Sequence, residues 1–589
     1  MNTIKLTLLI VLLFVPLAAL HAADKSPSPN KAVVTFRTAD AKLQRLFEAA
    51  ETQAAANLKP YSPTMTILVE GAGYSAAYIE TQPMGGAMYA KRNVEIALNN
   101  QRIFMAHQRE DGRLPQRVNA FDEKSWANSM RDDGWLPGAI TVGQDGVLAN
   151  FKTFSGHCFP QEALDVYYWA GRDRAFLEQL YAVLEKHDQY LWKVRDSNRD
   201  GCLEAWSIGD TGEDHATKFG DSYHYWSFDF PPTPERIASM PEAALKRQKV
   251  TWQPDSSADR KLESPMPAES MDVMSYSYAN RSTLAAISKI LGNGREAHWI
   301  EQAAKVSAKI KDYLWIPEKK ACFDRDRNGK IIEILVHNNL RCMYFGSFDQ
   351  DMADQFVRHH LLNPKEFWTP LPLPSIAAND PKFRNVPGND WSGQSQGLTF
   401  QRAIRALENY GHYAELSLIG TKLLETIQQE KLVFGQQYDP FTGATKNRTG
   451  YGPTILSALE YISRMQGVHL NLINDQVWWS ALDGTDFTYT QRWSEREWTL
   501  TGTKGRFTAS LGDKEVFSCT RGVRVVTDLA GNVREVVGIA PEPQSVVLQI
   551  AGVRHELTVK PNQVWHLDGT KPVLLRAVPF DYPYQENIR

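Results

Sequence analysis

The sequence predicts a mainly α protein, a toroid of helical hairpins followed by a small C-terminal all-β domain. Three observations lead there. Apolar residues recur at helical spacing from about residue 38 to about residue 465. The stripes come in pairs joined by short polar breaks. After about Gln466 the pattern changes to strict alternation of apolar and polar residues.

At the N-terminus, Lys5, the apolar run Leu6 to Leu17 and the small residues Ala18 to Ala23 read as a secretory signal over residues 1–23. The run is too short to span a bilayer, and no later segment carries ~20 uninterrupted apolar residues. Cleavage after Ala22 or Ala23 is expected, giving a periplasmic or secreted protein with no integral membrane segment after signal removal.

Residues 24–466 read as one helical domain. Leu43, Leu46, Phe47 and Ala50 form one apolar helix face, as do Ala163, Val166, Tyr167 and Ala170. Further faces are Leu177-Leu180-Leu184, Leu284-Ile287-Leu291, Phe400-Ala403-Ile404-Leu407, Leu416-Ile419-Leu423-Ile427 and Ile455-Leu459-Ile462. Breaks such as Ala170-Gly-Arg-Asp173 and Leu291-Gly-Asn-Gly294 turn successive helices into hairpins. A stretch at about 230–270, rich in proline (Pro231, Pro232, Pro234, Pro241), reads as an excursion over the barrel mouth or a disordered insertion. Residues 467–589 read as a β-sandwich-like domain packed on the helices. Phe507, Ala509 and Leu511 alternate with polar residues, and Thr503-Lys-Gly505 and Ala530-Gly-Asn532 mark turns.

Composition narrows the function classes. A net charge of −3 without a long basic block argues against a nucleic-acid partner. The 16 Trp, 22 Tyr and 25 Phe suit stacking on sugar rings as well as core packing. Cys158, Cys202, Cys322, Cys342 and Cys519 form no C-x-x-C pair, so no zinc cluster is indicated; one disulfide is permitted, with no pair singled out. His157, His359 and His360 lack metal-ligand spacing with acids, so neither metal nor cofactor is expected. Glu70-Gly-Ala-Gly73 is too short a frame for a phosphate-binding loop.

One stretch stands out. Ala205-Trp-Ser-Ile-Gly-Asp-Thr-Gly-Glu-Asp-His-Ala-Thr-Lys-Phe219 places Asp210, Glu213 and Asp214 within five positions beside Lys218. It is flanked by Tyr78-Ile-Glu-Thr-Gln-Pro83, His107-Gln-Arg-Glu-Asp-Gly-Arg-Leu-Pro115, Arg199-Asp-Gly-Cys-Leu-Glu204, Met271-Asp-Val-Met-Ser-Tyr276 and Trp391-Ser-Gly-Gln-Ser-Gln396 with Gln436-Gln-Tyr-Asp-Pro-Phe-Thr-Gly443. In this order, over residues 60–465, they resemble the six-hairpin (α/α)6 glycosidases: trehalase, processing α-glucosidase and the mannosylglycerate-hydrolase-like group.

The resemblance implies a glycoside hydrolase, inverting and acting on an α-linked carbohydrate. It puts Asp214 on the general acid, with Glu213 as the alternative, Glu80 on a carboxylate gripping sugar hydroxyls, and Trp391, Gln436 and Asp272 at the substrate, Asp272 reading equally as a helix cap. A raised pKa for Asp214 would come from burial or from Asp210 or Glu213, and Lys218 would oppose it if turned inward. The resembling enzymes carry a glutamate base where this chain has Gln436, and a carboxamide has no useful basicity. Asp439 is the expected second catalytic carboxylate, with Asp390 and Glu80 as alternatives; Asp439 also reads as a turn residue. The missing glutamate leaves a second class open, a sugar-binding relic or a phosphorylase, and a third, a polysaccharide lyase, lacks a concentrated Tyr or His base with cations.

Overall fold

The computed structural model describes residues 32–119, 140–142, 148–151, 153–154, 156–219, 231, 266–429, 431–446, 448–568 and 571–583. The signal over residues 1–23 and most of the excursion at 230–270 lie outside the described residues.

Twelve α-helices occur among the described residues. They are α1 (Ala41–Ala56), α2 (Gln82–Tyr89), α3 (Val94–Ala106), α4 (Pro160–Trp169), α5 (Arg174–Val194) and α6 (Met271–Leu291). Then follow α7 (Glu296–Lys309), α8 (Asn338–Phe345), α9 (Gln350–Phe356), α10 (Gly397–Tyr410), α11 (Tyr413–Gln429) and α12 (Gly452–Met465). Their ends have local causes. Asp40 caps α1 by accepting from the amides of Lys42 and Leu43, and Asp173 caps α5 through those of Ala175 and Phe176. Gly292 ends α6 and Gly411 ends α10, both in the left-handed conformation that closes a helix without a Cβ penalty. Leu43, Leu46, Phe47 and Ala50 are buried, as their spacing requires.

The helices alternate between two sets. α2 packs on α4, α4 on α6, α6 on α8, α8 on α10, α10 on α12, and α12 back on α2. The others pack behind them: α3 on α2, α5 and α7 on α6, α9 and α11 on α10, α1 on α12. A helix in the first set is covered on both flanks, which is why all fourteen residues of α12 are buried.

The C-terminal part forms two antiparallel sheets, one of seven strands and one of six. They face each other, with Trp479 of the second edge-on to Phe517 of the first. The sequence reading starts the helical domain before this module, but the chain enters the sheets first. Val33–Thr38 pairs antiparallel with Phe487–Trp493 in the seven-stranded sheet, so the N-terminal strand completes a C-terminal structure. Phe36, 2% exposed, fastens it against Phe47 of α1, Phe487 and Tyr489. The sheets hold to the helices through polar contacts as well. Asn562 Nδ2 donates to both oxygens of Glu415 on α11, and Trp493 Nε1 donates to the Trp169 carbonyl at the end of α4.

The permitted disulfide is not formed: all five cysteines are free and buried. Among the described residues no helix is long and apolar enough to cross a membrane. Phe36→Ala removes a fully buried ring from the junction of strand, helix and sheet. It is expected to cost about 3–5 kcal/mol of unfolding free energy, measured by urea denaturation.

Candidate active site

Several polar segments lie just before, or in the first turn of, the mutually packed helices. Glu80 precedes α2, Asp272 starts α6, His337 and Asn338 open α8, residues 389–396 lead into α10, and Gln436 to Tyr451 into α12. Two-residue ladders hold them together. Glu204–Ala205 pairs with Ala268–Glu269, which sets the acidic loop beside the start of α6. Ser395–Gln396 pairs with Gln437–Tyr438, which brings Asn389 and Gln436 side by side.

The three carboxylates of the acidic loop have three different fates. Asp210 is a clamp. Its Oδ2 meets Arg195 Nη1 at 2.7 Å and accepts from the amides of Trp206 and Ser207, while Oδ1 accepts from the Phe154 amide. Arg195 in turn sits over the rings of Phe154 and Trp206. Glu213 is buried against Lys218 (3.2 Å), His337 Nε2 (2.8 Å) and Asn338 Nδ2 (3.0 Å). Burial alone would raise its pKa, but Lys218, His337 and Arg341 together hold it well below the usual carboxylate range. It stays ionised, so it is no proton donor. Asp214 alone of the three is partly exposed. Its Oδ2 accepts from Asn389 Nδ2 at 2.6 Å, and its carbonyl accepts from the Trp391 amide at 3.1 Å.

Lys218 does turn inward, and its ammonium reaches Glu213, Asp272 at 2.8 Å and Asp324 at 3.3 Å. This corrects two expectations. Asp210 and Glu213 are committed to cations rather than to tuning Asp214. Asp272, expected at the substrate, is instead enclosed by Lys218, Asn338 Nδ2 (2.7 Å) and Arg341 Nη1 (3.2 Å), and is 4% exposed.

From Asp214 a chain of hydrogen bonds runs across the site. Asn389 Oδ1 accepts from Gln436 Nε2 at 2.8 Å, and Gln436 Oε1 accepts from Tyr74 Oη at 3.3 Å. Asn389 holds φ at 67°, a left-handed conformation that asparagine tolerates better than most residues, and its own amide donates to Gln437 Oε1 at 2.7 Å. Glu80 is partly exposed beside Arg402, whose Nη2 lies 3.6 Å away, and desolvation drives its pKa well above the usual range. Gly212, at φ 72°, presses its Cα against Glu80, and any Cβ there would collide with the carboxylate. Glu70 completes the group. Burial, with the charge of Asp214 among the contributors, pushes it up to about 7 against the lowering influence of a hydrogen bond to Tyr451 and of Arg448 and Arg402.

The structure therefore brings Asp214, Glu80 and Gln436 of the predicted residues into one group. Trp391 is 3% exposed and backs the acidic loop, its Nε1 directed at Asn389 Oδ1 at 3.3 Å. Asp439, expected as the second catalytic carboxylate, belongs to a turn instead. Its Oδ1 accepts from the amides of Phe441 and Thr442, its Oδ2 from Asn385 Nδ2, and these donors lower its pKa. Asp390 is taken by Arg384 at 2.6 Å and by the Ser392 amide. The sequence reading missed Glu70, Tyr74 and Asn389. A carboxylate followed by Gly-Ala-Gly-Tyr suggests only a phosphate loop, and nothing in its local spacing says that it faces residues near 214 and 436.

A cavity of about 550 Å³ lies elsewhere, between the helices and the six-stranded sheet. Its charges are paired among themselves: Lys91 with Glu460, Arg405 with Glu162, Arg464 with Glu408. It contains none of the loops described above. Among the described residues no group of His, Cys, Asp and Glu is arranged to hold a metal ion.

The helix arrangement and the Asp214 group can be set beside known proteins. The model of the mannosylglycerate hydrolase MGH1-like glycoside hydrolase domain matches residues 83–454. The chain belongs to this glycoside hydrolase family. It is a glycosidase, with a carbohydrate as its substrate. A GH63 mannosylglycerate hydrolase from Thermus thermophilus, in complex with Tris and D-glycerate, is similar in fold. Its TM-score is 0.51 at 19% identity, covering 71% of this chain and 99% of that one. A structure titled sialidase is similar with TM-score 0.58 at 14% identity, covering 84% of this chain and 41% of that one. A neutral trehalase from Saccharomyces cerevisiae has a TM-score of 0.49 at 13% identity, covering 71% and 80%. In this glycosidase, Lys218→Met leaves Glu213, Asp272 and Asp324 buried without their shared cation. Unfolding free energy at pH 7 is expected to fall by about 3–5 kcal/mol, measured by urea denaturation.

Proposed function

We propose that this glycosidase is an exported, inverting enzyme that cleaves an α-linked glycoside, with Asp214 as the general acid. The central helices, packed in sequence with the last on the first, are read as the inner ring of an (α/α)6 toroid, and the Asp214 group as its mouth. The observation that carries the reading is the sorting of the acidic loop. Asp210 and Glu213 are buried against cations, whereas Asp214 is partly exposed and its Oδ2 is held by the Asn389 amide. A carboxyl that must give up its proton to a departing glycosidic oxygen needs access to the substrate and a fixed orientation. Its exposure supplies the first and Asn389 the second.

The remaining residues suit a sugar. Glu80, Gln436 and Asn389 present acceptors and donors on one side, and Tyr74 and Tyr78 stand edge to face beside them. Export rests on Lys5, the run Leu6 to Leu17 and the small residues that follow.

Asp214→Asn is expected to lower kcat/KM on an α-linked disaccharide by about 10²–10⁴-fold with little change in Tm. Unchanged turnover would sink the assignment. Turnover that depends on added phosphate, with a sugar phosphate as product, would replace hydrolysis by phosphorolysis.

A further inference from the structure

We propose that Glu70 is the general base of this hydrolysis, filling the role for which Gln436 has no basicity. The inference rests on the reading of Asp214 as the acid. It is carried by geometry first. Glu70 ends the segment that leads to Gly71, whose backbone bridges to Tyr451, and its carbonyl accepts from the Gly452 amide at 2.6 Å. Its carboxyl hydrogen-bonds to Tyr451, which anchors it at the N-terminus of α12. Tyr74, four residues on, donates to Gln436. Glu70 thus lies at one end of a polar array, Tyr74, Gln436 and Asn389, whose other end is Asp214.

The other carboxylates near the site are excluded by what they touch. Asp439 is bound up in its turn, Asp390 in its pair with Arg384, and Glu213 and Asp272 in the Lys218 cluster. Glu80 is held under Gly212 and against the Arg402 guanidinium, with burial raising its pKa well above the usual range. Glu70 sits near the middle. The groups that act on it or on which it acts are Tyr451, Asp214, Arg448, Arg402, Tyr74, Tyr78 and Glu80. Their balance with burial leaves its pKa about 7, where it can both be ionised and take a proton at neutral pH.

A water molecule attacks the anomeric carbon from the face opposite the leaving group, and Glu70 takes one proton from it. The glycosidic C–O bond breaks, its electron pair goes to the leaving oxygen, and that oxygen takes the proton of Asp214. Asp214 ends as carboxylate and Glu70 as acid, and exchange with solvent resets both. Gln436, held between Tyr74 and Asn389, positions the water without deprotonating it.

The two roles separate on glycosyl fluorides, whose leaving group needs little protonation. α-D-Glucosyl and α-D-mannosyl fluoride serve as probes beside an α-linked disaccharide. Glu70→Gln is expected to lose about 10²–10⁴-fold on both fluoride and disaccharide, while Asp214→Asn loses far more on the disaccharide than on the fluoride. Glu70→Ala with added azide should yield a β-glycosyl azide, which distinguishes a missing base from a damaged fold. In the wild type, kcat/KM should fall as pH drops below about 7, as the base takes up its proton. Fluoride hydrolysis unchanged in Glu70→Gln would overturn the base and leave Asp214 standing. Loss without azide rescue would mark Glu70 as structural and overturn it too. A wild-type protein that hydrolyses neither fluoride nor glycoside would remove the hydrolytic reading, and the base with it.

Discussion

A buried ammonium, that of Lys218, holds three buried carboxylates together in the helical domain. It joins Glu213 of the acidic loop to Asp272 at the start of α6 and to Asp324, whose oxygen also accepts from the Met271 amide. Arg341 of α8 closes the cluster from the other side. Removing ions from water costs several kcal/mol each, so such a group persists only if the geometry compensates. Here it does. Three carboxylates face two fixed cations, and Asp324, pushed up to about 6, relieves the remaining negative charge by holding a proton more readily. The acidic loop is thereby pinned to two central helices, and Asp214, the next residue along, is presented at the edge of a rigid support.

The site divides its acids by environment. Asp210, Glu213 and Asp272, in direct contact with cations, are structural. Glu70 and Glu80 have raised values because desolvation outweighs the arginines that act on them. Perturbation of that kind, in a cluster of facing carboxyls, is what acid–base chemistry at neutral pH requires. The amide chain Gln436–Asn389 runs from Tyr74 to Asp214 and carries no charge, so it can orient groups on either side without adding a charge to their surroundings.

The β module is more than an appendage at the C-terminus. Its outer sheet begins with Val33–Thr38, and its contacts to the helices include the buried Glu415, His412, Asn562 and Tyr582. Charges on Glu415 and His412 favour each other, which raises His412 to about 9. The two parts are consequently tied through Val33–Thr38 and again through Asn562 and Tyr582.

Local pattern was enough to decide most of the architecture. Helical stripes such as Leu43-Leu46-Phe47-Ala50 and the alternation after Gln466 depend only on which face of an element must be buried, and that is written in spacing. The acidic loop stood out as well, with three carboxylates within five positions. What spacing does not carry is which way a charged side chain turns and whom it meets from hundreds of residues away. Asp272 and Asp390 looked as available as any acid in sequence, and Asp439 read both as a catalytic carboxylate and as a turn residue. Folding assigned the first two to Lys218 and Arg384 and left the third in its turn. Glu70 looked like part of a glycine-rich loop, and only the approach of α12, Tyr74 and the 389–396 segment gave it an environment in which its proton matters. Burial and charge partners are properties of the tertiary structure, because they come from long-range contacts that no local pattern encodes.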